Sequence, residues 1–243
     1  MGQHRSLTVA ALFLALSLNA QRTPVLVELF TSEGCSSCPP ADALLIQLER
    51  QPIASAEIIV LSEHVDYWNR LGWTDPFSSA EVSRRQSRYS EAWGKDGVYT
   101  PQMVVDGRAE LNGSDGRKAQ QTIARAAQEK KAVVKLAIAG ERLRVEVTEL
   151  PHSRDAEVLL AITEGNLKSD VRRGENSGRS ILHTGVTRRL EVIGTAKSGA
   201  TFSADPKLTL EKNWKRADLR AVVFVQERGS RRVLGAAAIS LAP

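Results

Sequence analysis

The sequence predicts an α/β domain, with a mixed sheet flanked by helices, followed by an all-β, sandwich-like C-terminal domain. The α/β domain is predicted over residues 21–131, where short apolar strand patterns alternate with helical patterns. After Lys131 the pattern changes to alternating apolar and polar residues with no convincing long helix, which predicts the β-rich domain over residues 132–243. The length of 243 residues fits two domains of moderate size.

The predicted elements of the α/β domain follow each other as strand, helix, strand, helix, hairpin and helix. In that order they occupy residues 25–30, 39–51, 56–65, 78–93, 101–111 and 114–130. Ser78 and Glu81 form a capping-box pattern at the start of the second helix, and Asp106-Gly107 is typical of a hairpin turn. Strands joined through helices favour parallel pairing, and the hairpin adds antiparallel strands, so we expect a mixed sheet.

The first 20 residues are typical of an export signal. His4 and Arg5 precede a largely apolar run at residues 7–18, and a small residue ends it. The run has about 12 residues, whereas a membrane span needs about 20. We therefore expect cleavage near Gln21 and a periplasmic or secreted protein in an oxidising compartment. Membrane contact is expected only through the signal before cleavage.

The charge pattern argues against a nucleic-acid partner. The formal net charge is +5, but the basic residues occur as scattered pairs, such as Arg84-Arg85 and Arg172-Arg173, without interleaved aromatic residues. This pattern favours solvated surfaces. The sequence also lacks the motifs of P-loop, dinucleotide-binding, zinc-protease and serine-hydrolase sites.

Cys35 and Cys38 are the two cysteines of the chain, and they stand two residues apart at the predicted start of a helix. A helix N-terminus carries unpaired N–H groups and a partial positive charge, which favour a thiolate there. Glu33 is close in sequence and opposes a thiolate. The pair could exchange disulfides, bind a metal or form a structural bond, and the spacing alone leaves the three roles open.

The element order, the CxxC pair and the hairpin that follows Thr100-Pro101 together resemble the thioredoxin superfamily. The resemblance implies that residues 21–131 form a thioredoxin-like domain. It also implies that Pro101 is a cis-proline facing Cys35 and Cys38, and that Thr100 pairs with the backbone of a substrate.

Longer motifs are similar to the secreted bacterial family known as domain of unknown function 1223. They are VELFTSEGCSSCPPADALL, HVDYWNRLGWTDPFSS and YTPQMVVDGR, with GENSGRSILHTGVTRRL and FVQERGSRRVLGAAAISL further on. The resemblance covers nearly the whole expected mature chain. It implies a thioredoxin-like domain plus a β-rich domain, without an established reaction.

The stretch EHVDYWNRLGW follows the second predicted strand and so leaves the sheet at its cysteine end. Within it, His64 or Asp66 could transfer protons during disulfide exchange. Tyr67, Trp68 and Trp73 could line a substrate groove. Alternatively, these polar residues cap the loop and these aromatic residues pack it.

Two features of the C-terminal half have less specific interpretations. The glycine-rich stretch RRGENSGR, residues 172–179, is predicted as a connecting loop, with anion binding by Arg173 and Arg179 as the alternative. His183 is isolated in β-rich sequence and is expected to be solvated or packed.

Three functions remain open. The first is an exported thiol–disulfide oxidoreductase that needs no cofactor, in which Cys35 attacks and Cys38 resolves a mixed disulfide with a protein or small-molecule thiol. The second is a copper or zinc module, or metallochaperone, using Cys35, Cys38 and His64. The third is a non-enzymatic binding protein with a structural disulfide. A disulfide across so short a loop contributes little stability, which argues against the third function.

Overall fold

A computed structural model describes residues 22–51, 53–151 and 156–242 of the chain. The predicted export signal at residues 1–20 lies outside the described residues. Within those ranges, no helix is long and apolar enough to cross a membrane.

The described residues form thirteen strands and three α-helices, so the protein is mostly β. The helices are α1 (Pro39–Arg50), α2 (Ala80–Ala92) and α3 (Gly116–Ala126). The strands of the N-terminal half are β1 (Thr23–Thr31), β2 (Ala56–His64), β3 (Gln102–Val105) and β4 (Ala109–Asn112). Those of the C-terminal half are β5 (Val133–Ala139), β6 (Arg142–Thr148), β7 (Ala156–Glu164), β8 (Leu167–Asp170), β9 (Ser180–His183), β10 (Val186–Ala196), β11 (Phe202–Ala204), β12 (Leu219–Glu227) and β13 (Val233–Ser240).

Eight of these strands form one mixed sheet, in the order β13-β12-β7-β10-β2-β1-β3-β4. The prediction of a helix-flanked, thioredoxin-like α/β domain followed by a separate β-sandwich-like domain is therefore wrong. Strands from both halves share the sheet because β10 pairs in parallel with β2. A run of apolar residues indicates that a segment is a strand, but it does not indicate which strand is its partner. Two smaller sheets, β11-β6-β5 and β8-β9, complete the structure of the described residues.

The apolar residues of β1 alternate between the two faces of the large sheet. Val25, Val27 and Leu29 pack with α1 and α3 in one core cluster. Leu26 belongs to a second cluster, which joins β1 and β2 to β7, β12 and β13. Phe30 packs against residues of α2. The C-terminal strands therefore cover part of a face that helices were expected to cover. A fourth cluster fills the space between β5–β6 and strands β7, β12 and β13.

The N-terminal end of α2 differs by one residue from the expected capping pattern. Ser79, rather than Ser78, is the N-cap residue, and its side chain accepts a hydrogen bond from the backbone N–H of Val82. The Asp106-Gly107 turn of the β3–β4 hairpin is present as expected, with positive φ at both positions.

The junction between the two halves is a close backbone contact. Val186 of β10 pairs with Ser62 of β2, and the backbone N–H of Ser62 donates to the carbonyl oxygen of Gly185 at 2.7 Å. Gly185 has a φ of +58°, and a Cβ added there would lie 2.8 Å from the carbonyl oxygen of Val60. A side chain at this position would therefore push the two strands apart.

A buried polar cluster lies where α2 meets the sheet. Arg85, which is 1% exposed, donates from Nε to Glu28 at 2.7 Å and from Nη1 to Gln226 at 3.1 Å. Tyr89 donates to Glu28 and accepts from Gln226 at 2.8 Å. Glu63 lies 3.2 Å from Arg85 Nε, but its two buried carboxylate oxygens make no hydrogen bond. Burial therefore raises the pKa of Glu63 to about 8, with Arg85 opposing the shift.

Gly185→Ala is expected to lower the free energy of unfolding by about 2–4 kcal/mol, because the methyl group meets backbone and the left-handed conformation is strained. The control is Gly140→Ala in the β5–β6 turn, where φ is +61° and no heavy atom lies within 4 Å of the added Cβ. In Gly140→Ala, the free energy of unfolding should fall only by the conformational cost, about 1–2 kcal/mol. Urea unfolding measures both variants. Equal losses would contradict the close approach at Gly185.

Glu63 is expected to make the protein less stable as pH rises. Its pKa in the folded protein, about 8, lies above the ordinary glutamate value of about 4.3. Its contribution to stability is therefore complete below about pH 4.3 and is lost as pH rises through about 8. Glu63→Gln should flatten the pH dependence and raise stability at pH 9 by about 1–3 kcal/mol. The matched control is Glu57→Gln, an exposed position on the same strand. Parallel pH profiles for wild type and Glu63→Gln would refute the shift.

Candidate functional site

The cysteine pair lies between the end of β1 and the start of α1. Cys35 and Cys38 form a disulfide with a Cα–Cα distance of 5.4 Å, and both residues are 0% exposed. Cys38 is the N-cap residue of α1, and its backbone N–H donates to the carbonyl oxygen of Cys35 at 3.2 Å. The hydroxyl of Ser37 is 3.3 Å from Cys35 Sγ. The pair therefore occupies the helix start that the sequence indicated, but it is fully covered.

Glu33, two residues before Cys35, is fully buried and bound from three sides. Its Oε2 accepts a hydrogen bond from Trp73 Nε1 at 2.8 Å, and its Oε1 lies 3.2 Å from His183 Nε2. Its backbone N–H donates to Asp75 Oδ2 at 2.8 Å. Trp73 thus contacts the base of the cysteine loop, and His183 is brought there from the C-terminal half.

The imidazole rings of His64 and His183 pack edge to face behind this loop, with ring centroids 4.8 Å apart. His64 Nδ1 lies 2.7 Å from Asp75 Oδ2. Burial disfavours the Asp75 carboxylate, but His64 and backbone N–H donors outweigh burial and lower its pKa. Among the described residues, no hydrogen-bond partner reaches His64 Nε2 or His183 Nδ1, although both atoms are buried.

Asp42 completes the buried cluster from the first turn of α1. Its backbone N–H donates to the carbonyl oxygen of Cys38 at 3.1 Å. Its carboxylate accepts a hydrogen bond from Thr31 at 3.0 Å and lies 3.9 Å from His183 Nδ1. Burial raises the pKa of Asp42 to about 7, although His183 and Thr31 oppose the shift. We call Glu33, Asp42, His64, Asp75 and His183 the acid–imidazole cluster.

A segment of the C-terminal half, residues 172–179, lies against the cysteine loop; we call it the strap. Asn176 of the strap is 0% exposed, and its Nδ2 donates to the carbonyl oxygens of Glu33 at 2.9 Å and Cys35 at 2.8 Å. The carboxylate of Glu175 accepts a hydrogen bond from the backbone N–H of Ser36 at 3.1 Å. The predicted connecting loop is therefore part of the site. Arg173 and Arg179, the alternative anion ligands, are exposed on it.

The aromatic stretch joins the cysteine loop to the β3–β4 hairpin. Trp68 Nε1 donates to Thr100 Oγ1 at 2.8 Å, and the Thr100–Pro101 peptide bond is cis. A Cβ added at Gly34 would lie 3.1 Å from the Cβ of Trp68, so this side chain packs closely on the cysteine loop. Tyr67 donates to Gln86 at 3.0 Å. Burial raises the pKa of the Tyr67 phenol to about 12.

These contacts support neither proton transfer by Asp66 nor a metal site formed by Cys35, Cys38 and His64. The Asp66 carboxylate accepts a hydrogen bond from Ser83 of α2 at 2.5 Å, whereas His64 points into the acid–imidazole cluster. Cys35 and Cys38 are bonded to each other. Within the part of the chain that the structure describes, no three Cys, His, Asp or Glu side chains are arranged to hold a metal ion.

The sequence patterns did not single out Asp42, Asp75, Asn176 or His183 as site residues. Two signals could have found part of this set. Asp42 is three residues before Leu45, so a carboxylate lies on the apolar face of α1. His183 lies two residues after the buried Ile181 on β9, so its side chain is on the same, inward-facing side of the strand. Asp75 and Asn176 lie in loops without periodicity.

Comparisons with known proteins support the family resemblance that the sequence motifs indicated. The family model described as Protein of unknown function (DUF1223) matches residues 26–226. A crystal structure of protein AGR_C_4864 from Agrobacterium tumefaciens is 29% identical, with a TM-score of 0.73, and the match covers 90% of this chain and 95% of that one.

A second solved structure, HBP35 of Porphyromonas gingivalis, is 14% identical with a TM-score of 0.62, and the match covers 90% of this chain and 75% of that one. It shows a similar fold only. The search of curated proteins gave no match. Because the family model spans most of the sequence, the chain belongs to the DUF1223 family of proteins of unknown function.

Proposed function

We propose that the protein is an exported thiol–disulfide oxidoreductase that acts on protein or small-molecule thiols and disulfides. One observation carries the proposal: the Cys35–Cys38 disulfide lies at the N-terminus of α1, directly beside the buried acid–imidazole cluster. A helix N-terminus stabilises a thiolate, and buried titratable groups beside it can hold the protons that exchange releases. A structural disulfide needs neither a stabilised thiolate nor a neighbouring group that holds protons.

The proposed exchange moves two electrons from the protein to its partner. The thiolate of Cys35 attacks a partner disulfide, an S–S bond forms between Cys35 and the partner, and the other partner sulfur leaves as a thiolate that takes a proton. Cys38 then loses its proton and attacks Cys35, which restores the Cys35–Cys38 disulfide and releases the second partner thiol. With oxidised protein and a dithiol partner, the same steps run in reverse.

We propose that the acid–imidazole cluster handles the proton of Cys38. Asp42 is one helical turn after Cys38, and its raised pKa suits proton uptake and release near neutral pH. His183 supports the Asp42 carboxylate electrostatically at 3.9 Å. His64, predicted from the sequence as a proton carrier, acts in this proposal as a positioning residue, because it reaches the cysteine loop through Asp75.

We propose that substrates dock on the aromatic side of the cysteine loop. Trp68 holds Thr100 by a hydrogen bond, so the backbone before Pro101 has a defined position beside the loop. Tyr67 is half-buried, and nearby Leu71 and Tyr99 are 46% and 40% exposed. These side chains offer apolar surface to a peptide. Trp73 instead supports Glu33 from within.

The complete burial of Cys35 and Cys38 favours a second candidate, a binding protein in which the disulfide is structural. The two candidates differ in the reduction potential of the disulfide. Exchangeable catalytic disulfides range from about −270 to about −120 mV, whereas structural ones lie below about −300 mV.

The first test is therefore equilibration of the protein in thiol buffers of graded potential, with alkylation and mass spectrometry to count free thiols. We expect half-reduction near or above about −230 mV. In addition, Cys38→Ser should trap a mixed disulfide between Cys35 and a partner thiol, whereas Cys35→Ser should trap much less. A potential below about −300 mV, with no trapped adduct, would leave the binding protein as the remaining candidate.

Asp42→Asn should slow the step in which Cys38 attacks a mixed disulfide on Cys35. Reduced protein reacts with an aromatic disulfide, and release of the second aromatic thiolate reports that step. In wild type, the rate should rise as Asp42 ionises through about pH 7, since only the carboxylate can accept the proton. In Asp42→Asn, the rate at pH 8 should fall by about tenfold or more, and that rise should disappear. The control, Glu49→Gln, changes a carboxylate at the other end of α1. Unchanged rates in Asp42→Asn would remove it from the mechanism.

A further inference from the structure

We infer that the strap, residues 172–179, is a gate over the cysteine pair and that Asn176 is the latch that holds it closed. The inference rests on the proposed function, because a gate matters only for a disulfide that reacts. It assigns a role to the C-terminal half of the chain, which supplies the strap and is remote in sequence from Cys35.

Exchange requires a gate because the disulfide is covered. A thiolate must approach a disulfide sulfur along the S–S axis, and both Cys35 and Cys38 are 0% exposed. Some part of the surrounding structure must therefore move before any partner reacts. Much of this surrounding structure is core: β1, one face of α1 and the acid–imidazole cluster are buried, whereas Ser36 and Ser37 between the cysteines are exposed.

The strap differs from that core because all of its residues except Asn176 are exposed. Arg172, Arg173, Gly174 and Glu175 precede buried Asn176, and residues 177–179 after it are exposed again. Its internal turns are closed by backbone hydrogen bonds, such as that from the N–H of Ser177 to the oxygen of Gly174 at 3.1 Å. The strap can therefore move as a unit, and little apolar area leaves the core when it does.

Asn176 makes the contacts that such a movement must break. Its Nδ2 group donates to the carbonyl oxygens of Glu33 and Cys35, so the reversed amide orientation would set an oxygen against two oxygens. Its Oδ1 is buried without a partner. Two hydrogen bonds are gained and one acceptor is left unsatisfied, so the closed state is held by a modest net free energy. A latch of this strength permits opening without unfolding.

Glu175 adds a weaker contact at the same point. Its exposed carboxylate accepts from the backbone N–H of Ser36, which lies between the two cysteines. In the open state this N–H is released and can stabilise negative charge on the neighbouring sulfur. Opening would thus expose Cys35 and also favour its thiolate.

The test measures how fast a small phosphine reduces the oxidised protein. The phosphine attacks one sulfur and supplies two electrons, and water then yields two thiols and a phosphine oxide, so the rate reports access without any partner protein. Asn176→Ala should be reduced about tenfold faster than wild type, since loss of a hydrogen bond of this kind corresponds to about that factor. Glu175→Ala should be reduced about threefold faster. Arg173→Ala is the control within the strap, because the exposed Arg173 side chain makes no hydrogen bond or ion pair with the described residues, and its rate should match wild type.

Asn176→Asp and urea dependence separate a gate from general loosening. The Asp carboxylate keeps the shape of the side chain but faces two carbonyl oxygens, so it should also accelerate reduction at pH 8. Reduction through a local opening should depend little on urea below the unfolding transition, whereas reduction through global unfolding should accelerate steeply.

Equal rates in wild type, Asn176→Ala, Asn176→Asp and Glu175→Ala would overturn the gate, as would a steep urea dependence in wild type. The reduction potential keeps this result separate from the proposed function. If the latch variants react faster but the potential is that of a structural disulfide, the strap covers the pair and the oxidoreductase fails. If the potential is exchangeable but the rates are equal, the oxidoreductase stands and the gate fails.

Discussion

The pairing of β10 with β2 is the contact on which the rest of the structure depends. It is short, with Val186 opposite Ser62 and the carbonyl of Gly185 bound to the next strand. Because β10 begins opposite Ser62, near the carboxyl end of β2, the residues just before β10 lie at the end of the sheet where β1 and β2 finish. The preceding residues, including His183 and Asn176, are therefore delivered to the cysteine loop. One pairing thus merges two halves into a single sheet and completes the site.

The charges buried on the two sides of this junction have different surroundings. On the α2 side, the guanidinium of Arg85 compensates Glu28, and a buried ion pair of this kind adds little net stability because desolvation of both charges offsets their attraction. On the α1 side, the acid–imidazole cluster includes no Arg or Lys, and burial raises the pKa of Asp42 to about 7. The fold therefore keeps buried carboxylates next to its disulfide, at the desolvation cost of burying Glu33 and Asp42.

Local features of the site were predictable from sequence, whereas their assembly was not. Cys35 and Cys38 at a helix start, and a hairpin with a turn at Asp106, follow from spacing, capping and turn chemistry within a few residues. The single sheet could not be predicted in this way, because alternating apolar residues indicate that β10 is a strand but not which strand pairs with it. The alternation of buried and exposed residues on β9 also indicates that His183 faces inward. Its contact with Glu33, which is 150 residues away in sequence, depends on the pairing of β10 with β2.

For the proposed oxidoreductase, burial of the disulfide and access to it are compatible only if opening is local. The β8–β9 hairpin that carries the strap is anchored independently of it: Ile181 is buried, and His183 contacts Glu33 and Asp42. In the proposed gate, releasing Asn176 therefore leaves the hairpin and the acid–imidazole cluster in place while Cys35 becomes accessible. Had the strap also carried the anchoring histidine, opening would have dismantled the chemistry that it exposes. In the proposed gate, the latch Asn176 and the anchor His183 are seven positions apart, and this separation allows one segment to move while the other stays fixed.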